Sequence, residues 1–191
     1  MKAQKTDSFG IALMGMLFAL ALVLTAVEYM IPPIPMMPPG VKLGLANIVT
    51  MYCLFYLGKK QTFAIVFLKS GFVFLMRGAT AFLMSLSGGL LSAAVMILLL
   101  AVAHRSLSYL VISVCGAISH NLGQLIVASF LLGTGMVAFY LPLLILSGVA
   151  MGYITGTLLR VVSPAFGRIR KKPSFDAKAH RSDNKLYGGK S

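Results

Sequence analysis

Seven side chains that are costly to hold in hydrocarbon interrupt otherwise apolar sequence: Lys42, Asn47, Lys69, Arg77, His120, Asn121 and Gln124. The three cations could neutralise an anion, and the amides and imidazole could orient it through hydrogen bonds. A charge at mid-bilayer costs about 2.5–3.5 kcal/mol on insertion scales, so each one needs a reason. Lys69 and Arg77 are eight residues apart, about 80° around a helix, and can share one broad face at two depths. His120 and Gln124 are four apart and point the same way. Glu28 is the one carboxylate in the apolar region. Ser85, Ser87 and Ser92 surround the pair Gly88-Gly89, and a helix starting at those glycines would offer free amides to an anion. Together these residues describe a polar cavity open to the outside, suited to an anionic or zwitterionic small molecule. Plainer readings stand beside this one. Lys42 and Arg77 would snorkel to headgroups, Glu28 would neutralise Lys42, and His120 with Gln124 would join helices. Lys69 lies deepest and is hardest to explain that way.

Other chemistries lack their residues. The chain has no GxxxxGK[ST] phosphate loop and no aspartate cluster to hold the magnesium ions of a prenyl diphosphate enzyme. His104, His120 and His180 are too scattered for a metal site, and Cys53 and Cys115 each stand alone in apolar runs as small buried hydrophobes. Neither a catalytic role nor a cofactor is expected.

The elements that must position these groups are long and apolar. Of 191 residues, 58% are hydrophobic and 11% charged, and mean hydropathy is +0.89. A soluble domain of this size could not cover so much apolar surface. The expected architecture is therefore an all-α integral membrane protein of six transmembrane helices. The spans are expected near 9–30, 41–58, 61–77, 89–103, 108–132 and 137–160. The first is too long for a signal-peptide core. Segment 31–40, IPPIPMMPPG, cannot be regular helix. A partly inserted stretch, Ala79 to Ser87, is expected before the fourth span. Residues 1–8 form a cytoplasmic N-terminus, 9–163 the membrane domain, and 164–191 a basic flexible tail.

The net charge of +13 would suggest nucleic acid in a soluble protein, but its placement points to the lipid bilayer instead. With both termini inside, the inner face receives Lys2, Lys5, Lys59, Lys60, Arg105, Arg160 and every basic residue of the tail, 14 of the 17 Lys and Arg. That asymmetry selects six spans over five or seven. No nucleic-acid partner is expected.

Small residues Ala12, Gly15, Ala19 and Ala26 share one face of the first span and permit close approach of another helix. Glu28 lies about 180° from Ala19. If Glu28 faces inward, the small stripe faces lipid or a partner.

At PPGVKLGLANIVTM (38–51), SLSGGLLSAAVM (85–96) and GAISHNLGQLIVA (116–128) the chain resembles a bacterial membrane family called the Gx transporter family, also known as heptaprenyl diphosphate synthase component I. The resemblance covers roughly residues 9–160. That family is similar to the S components of energy-coupling-factor (ECF) transporters, six-helix binders of vitamins. The resemblance implies an S-component-like bundle in the bacterial cell membrane, with N- and C-termini cytoplasmic. It also implies a docking face at Gly15 and Ala19, extended by Ala12 and Ala26, for a membrane coupling subunit powered by ATPases. The leading expectation is a binding subunit for uptake of a small anionic nutrient or cofactor precursor. The component I name implies instead a non-catalytic subunit of menaquinone side-chain synthesis, and some relatives suggest an accessory role in electron transfer.

Overall fold

A computed structural model describes residues 8–30, 44–102, 107–133 and 139–167. Helices carry nearly all of them, and no strand occurs among the described residues. The helices are α1 (Ser8–Met30), α2 (Asn47–Tyr56), α3 (Lys59–Val102), α4 (Tyr109–Leu132) and α5 (Leu141–Gly167). Four of them, all but α2, are long and apolar enough to cross a membrane. The sequence supplies good helix formers, chiefly Leu, Ala and Met, and their backbone hydrogen bonds close within each segment, as a lipid solvent requires.

At 44 residues α3 would measure about 66 Å if straight, twice the hydrocarbon thickness. It is not straight. Gly78 breaks it at φ 82°, ψ −173°, a conformation open essentially to glycine alone. The chain folds back there into an antiparallel hairpin. Ser70 pairs with Ser85 by hydroxyl contact at 3.4 Å, Gly89 packs on Val66, and Phe74 meets Phe82 edge to face. The first arm covers 59–77 and the second 79–102. A Cβ on Gly78 would meet nothing within 4 Å, so backbone strain alone decides its replacement. Gly78→Ala should cost about 1–3 kcal/mol. The expected readout is a thermal midpoint a few degrees lower in detergent, with ligand retention unchanged.

The hairpin revises the expected fourth span. Ala79 to Ser87 is helical, the start of a continuous second arm. Gly88 and Gly89 lie inside that arm, so they offer no free helix N-terminus for an anion. The second expected span also shortens. Its regular helix is ten residues, about 15 Å, preceded by a turn in which Asn47, Ile48 and Val49 donate to carbonyls three residues back. Eight of the ten α2 side chains are buried, because α2 is enclosed by α1, α3 and α5. A helix that is apolar all round must be covered on every side. At the other end, α5 continues to Gly167, past the expected boundary at 163. The proline-rich segment 31–40, the N-terminus through Asp7 and the tail from Arg168 onward lie outside the described residues.

Successive arms run antiparallel. The second arm of α3 meets α4 through Gly88 against His120 and Gly116 against Met96. α4 meets α5 along Gly148, Gly152 and Gly156, which rest on Ile118, Val114 and Leu110. The left-handed residue Gly133 ends α4, its amide donating to Ser129. Two apolar clusters divide the interior. One gathers Ala21, Met51, Cys53, Ile65, Met96, Ile112 and Leu159; the other gathers Met84, Leu125, Ala128 and Leu144.

Candidate functional site

Between those two apolar clusters lies a polar layer. On α3, Lys69, Ser70, Ser85 and Ser92 fall between Ile65 or Met96 and Met84. On α4, His120, Asn121 and Gln124 fall between Ile112 and Leu125. All of these polar residues are buried.

Lys69 is central to the layer. It stands eight residues from Arg77 and ten from Lys59, about 12 and 15 Å along its arm, so it sits near mid-length. It is 3% exposed. Its Nζ reaches Thr50 Oγ1 on α2 at 3.4 Å, its one hydrogen-bond acceptor among the described residues. An ammonium has three donors, and a single long bond to a neutral hydroxyl leaves most of its desolvation uncompensated. The Glu28 carboxylate acts on it electrostatically.

The glycine pair joins Lys69 to the rest. A Cβ on Gly89 would stand 3.7 Å from Lys69 Cε, and one on Gly88 would stand 3.0 Å from His120 Cε1 and Gln124 Cγ. Absence of side chains lets the second arm run between Lys69 on one side and His120 on the other. Gly123 does the same for α4, its Cβ position lying 2.8 Å from the Ser87 carbonyl. His120 Nε2 and Gln124 Nε2 are 2.6 Å apart, the amide donating to the ring. His120 also packs on Gly44, whose φ of +88° and proximity to the imidazole both favour glycine. The Gly44 amide donates to Glu28 Oε1. Glu28 is 8% exposed. It extends the face of α1 that carries buried Ala21 and Thr25, with Thr25 Oγ1 bonded back to the Ala21 carbonyl at 2.7 Å.

Asn47 belongs to the same layer. Its Nδ2 donates to Ser92 Oγ at 3.1 Å, and the Ser92 hydroxyl lies 3.3 Å from its Oδ1. This exchange ties α2 to the second arm of α3. A double-mutant cycle on Asn47→Ala and Ser92→Ala should give a coupling of about 0.6 kcal/mol, and no more than about 1.7, in thermal unfolding.

Not every residue marked in the sequence converges. Arg77 is exposed at the hairpin tip, its guanidinium carbon 4.3 Å above the Tyr29 ring. It shares an arm with Lys69 but not the layer, because it stands at the arm's end. Asn121 turns away from His120 toward α5, donating to the Leu144 carbonyl at 2.8 Å and to Ser147 Oγ at 3.1 Å. One residue on from His120, it points about 100° around α4. Ser85 is used by Ser70, and Ser87 donates to the carbonyls of Gly123 and Met84. Lys42, and with it the expected Glu28–Lys42 pair, lies outside the described residues. Thr50 was overlooked. Its signal was its place three residues after Asn47, on one helix face, within an apolar run.

The small stripe of α1 faces away from the bundle. Ala12, Gly15 and Ala19 are exposed and Ala26 is partly so, while Leu13, Leu17, Ala21 and Glu28 point inward. Among the described residues, no three His, Cys, Asp or Glu side chains gather as a metal site.

The family model for heptaprenyl diphosphate synthase component I matches residues 17–162, which include every residue of the polar layer. No curated protein and no solved structure matches the chain significantly.

Proposed function

We propose, from the premise that the chain belongs to the heptaprenyl diphosphate synthase component I family, that it is a membrane-embedded binding subunit for a small anionic or zwitterionic solute. The observation that carries this reading is the buried Lys69 ammonium, with one neutral acceptor among the described residues. Such a charge is unfavourable in the empty protein and becomes favourable when an anion pairs with it. Nearby Asn47, His120 and Gln124 then orient the solute. Gly88 and Gly89 let these groups meet in one layer.

Each arm of α3 crosses the membrane once, as do α1, α4 and α5, and the short α2, enclosed by its neighbours, supplies the sixth pass inside the bundle. The N- and C-termini lie on the cytoplasmic side, because Lys59, Lys60 and Arg160 fall at that end. The solute enters from the opposite side. The chain has no energy source of its own, and the outward-facing stripe Ala12, Gly15, Ala19 and Ala26 suits a second membrane protein that supplies one.

The family description favours a second reading, a non-catalytic membrane subunit that holds a prenyl diphosphate. The charge balance argues for the first. A diphosphate carries several negative charges, whereas the described layer offers one cation, Lys69, beside one carboxylate, Glu28. That balance suits a solute with little net charge.

Native mass spectrometry of the purified full chain distinguishes them. A retained small polar solute supports the binding subunit, and a retained prenyl diphosphate supports the second reading. A protein carrying neither, with no transporter subunit recovered alongside the tagged chain, would count against uptake.

A further inference from the structure

Glu28 stands two residues before the end of α1, and its side chain is drawn inward and 8% exposed. Among residues 8–167 it is the one acidic side chain. What surrounds it is an anion's environment. The Gly44 amide donates to it, Lys69 attracts it, and the Arg77 guanidinium lies over the adjoining Tyr29 ring. Gly44 reaches this position only because its left-handed backbone turns the amide toward α1 while its missing side chain admits His120.

A resident carboxylate set among the donors of an anion-binding layer competes with any anion that enters. We infer that Glu28 is a built-in surrogate for the ligand's anionic group, holding the Gly44 amide and screening Lys69 until the solute takes over that role. This rests on the binding reading above and adds a specificity rule to it. Glu28 sets a threshold, because an incoming group must outcompete a tethered carboxylate whose effective concentration is high. Weakly held inorganic anions and chloride are rejected. A solute whose other contacts, to Asn47, His120 and Gln124, add to its charge is admitted.

Glu28→Gln keeps the shape and retains an acceptor oxygen for Gly44, but removes the competing charge. Glu28→Ala removes both. Thermal midpoints of the detergent-solubilised full chain would be followed against acetate, inorganic phosphate and citrate, with chloride replacing them at constant ionic strength. For at least one probe, both variants should show an apparent affinity about tenfold higher than the parent, the scale expected when one like charge leaves a buried site. Lys69→Met placed on the Glu28→Gln background should abolish that gain. Equal or weaker anion stabilisation in both Glu28 variants, or no stabilisation of any form by any probe, would overturn the inference. A gain that survives loss of Lys69 would overturn it too, since the anion would then be elsewhere. The binding reading itself is judged separately, on whether the unaltered protein retains a solute in native mass spectrometry.

Discussion

Lys69→Met is expected to abolish solute retention while leaving the protein folded. Methionine has nearly the length of lysine without the charge, and it fills irregular space between helices. The parent pays for a desolvated ammonium whose described hydrogen bonding is one 3.4 Å contact to Thr50. Relief of that desolvation is set against the lost attraction to Glu28, which stays buried and keeps the Gly44 amide as a donor, so the two effects oppose. Binding moves in one direction only. Losing the charge that pairs with a buried anion costs about 2–5 kcal/mol, roughly a 30-fold to several-thousand-fold loss of affinity. The variant should therefore purify folded, with a thermal midpoint within a few degrees of the parent's and no retained solute in its mass spectrum. A collapsed fold would show that Lys69 is structural. A retained solute in a stable variant would show that the ligand does not use this cation.

The largest expected loss of stability is at Gly152. A Cβ there would lie 2.4 Å from Val114 Cα and 2.9 Å from Val114 N. These are backbone atoms of α4 and cannot rotate away, so α4 and α5 must separate along their whole contact. Gly148 and Gly156 sit one turn to either side, where an added Cβ would stand 3.1 Å from Ile118 Cα and 3.0 Å from Leu110 Cα. Forcing extra volume into such packing costs about 1–3 kcal/mol, and backbone contact places Gly152→Ala at or above the upper end. The Asn121 bonds to Leu144 and Ser147 would weaken with the separation. Gly15→Ala is the matched control. Nothing lies within 4 Å of its Cβ position on α1, so the change should be neutral or stabilising by up to about 1 kcal/mol through helix propensity. Both are read from thermal unfolding in the same detergent. Equal midpoints for the two variants would contradict the close α4–α5 contact.

The sequence by itself determined that the chain is helical and apolar, and where α1, the first arm of α3 and α4 begin and end. α1 and α4 fall within a residue or so of the expected 9–30 and 108–132, because continuous runs of about 20 apolar residues leave little choice of length. Lys69 was legible as the group needing explanation, since a cation in the middle of such a run has no bland surface role. Helical spacing also put Glu28 opposite Ala19, but only the structure decided that Glu28 faces inward and the small stripe outward.

Tertiary structure decided which polar groups meet. Sequence spacing places Arg77 on the same broad face as Lys69 and sets Asn121 beside His120. Depth along an arm takes Arg77 out of the layer, and 100° of rotation around α4 turns Asn121 from His120 toward α5; neither can be judged without knowing which neighbour lies there. The Gly88-Gly89 pair read as a helix start, because glycine is disfavoured within helices in isolation. In the bundle it is where two helices and the lysine's stem come closest, and packing against Val66, His120 and Gln124 outweighs propensity. The sharp turn falls at Gly78, directly after the Arg77 at which the third span was expected to end, but the immediate reversal into a second helix was not legible. Local sequence does not distinguish a hinge from a tolerated glycine; only contacts across the hairpin, such as Ser70 to Ser85, select the reversed conformation.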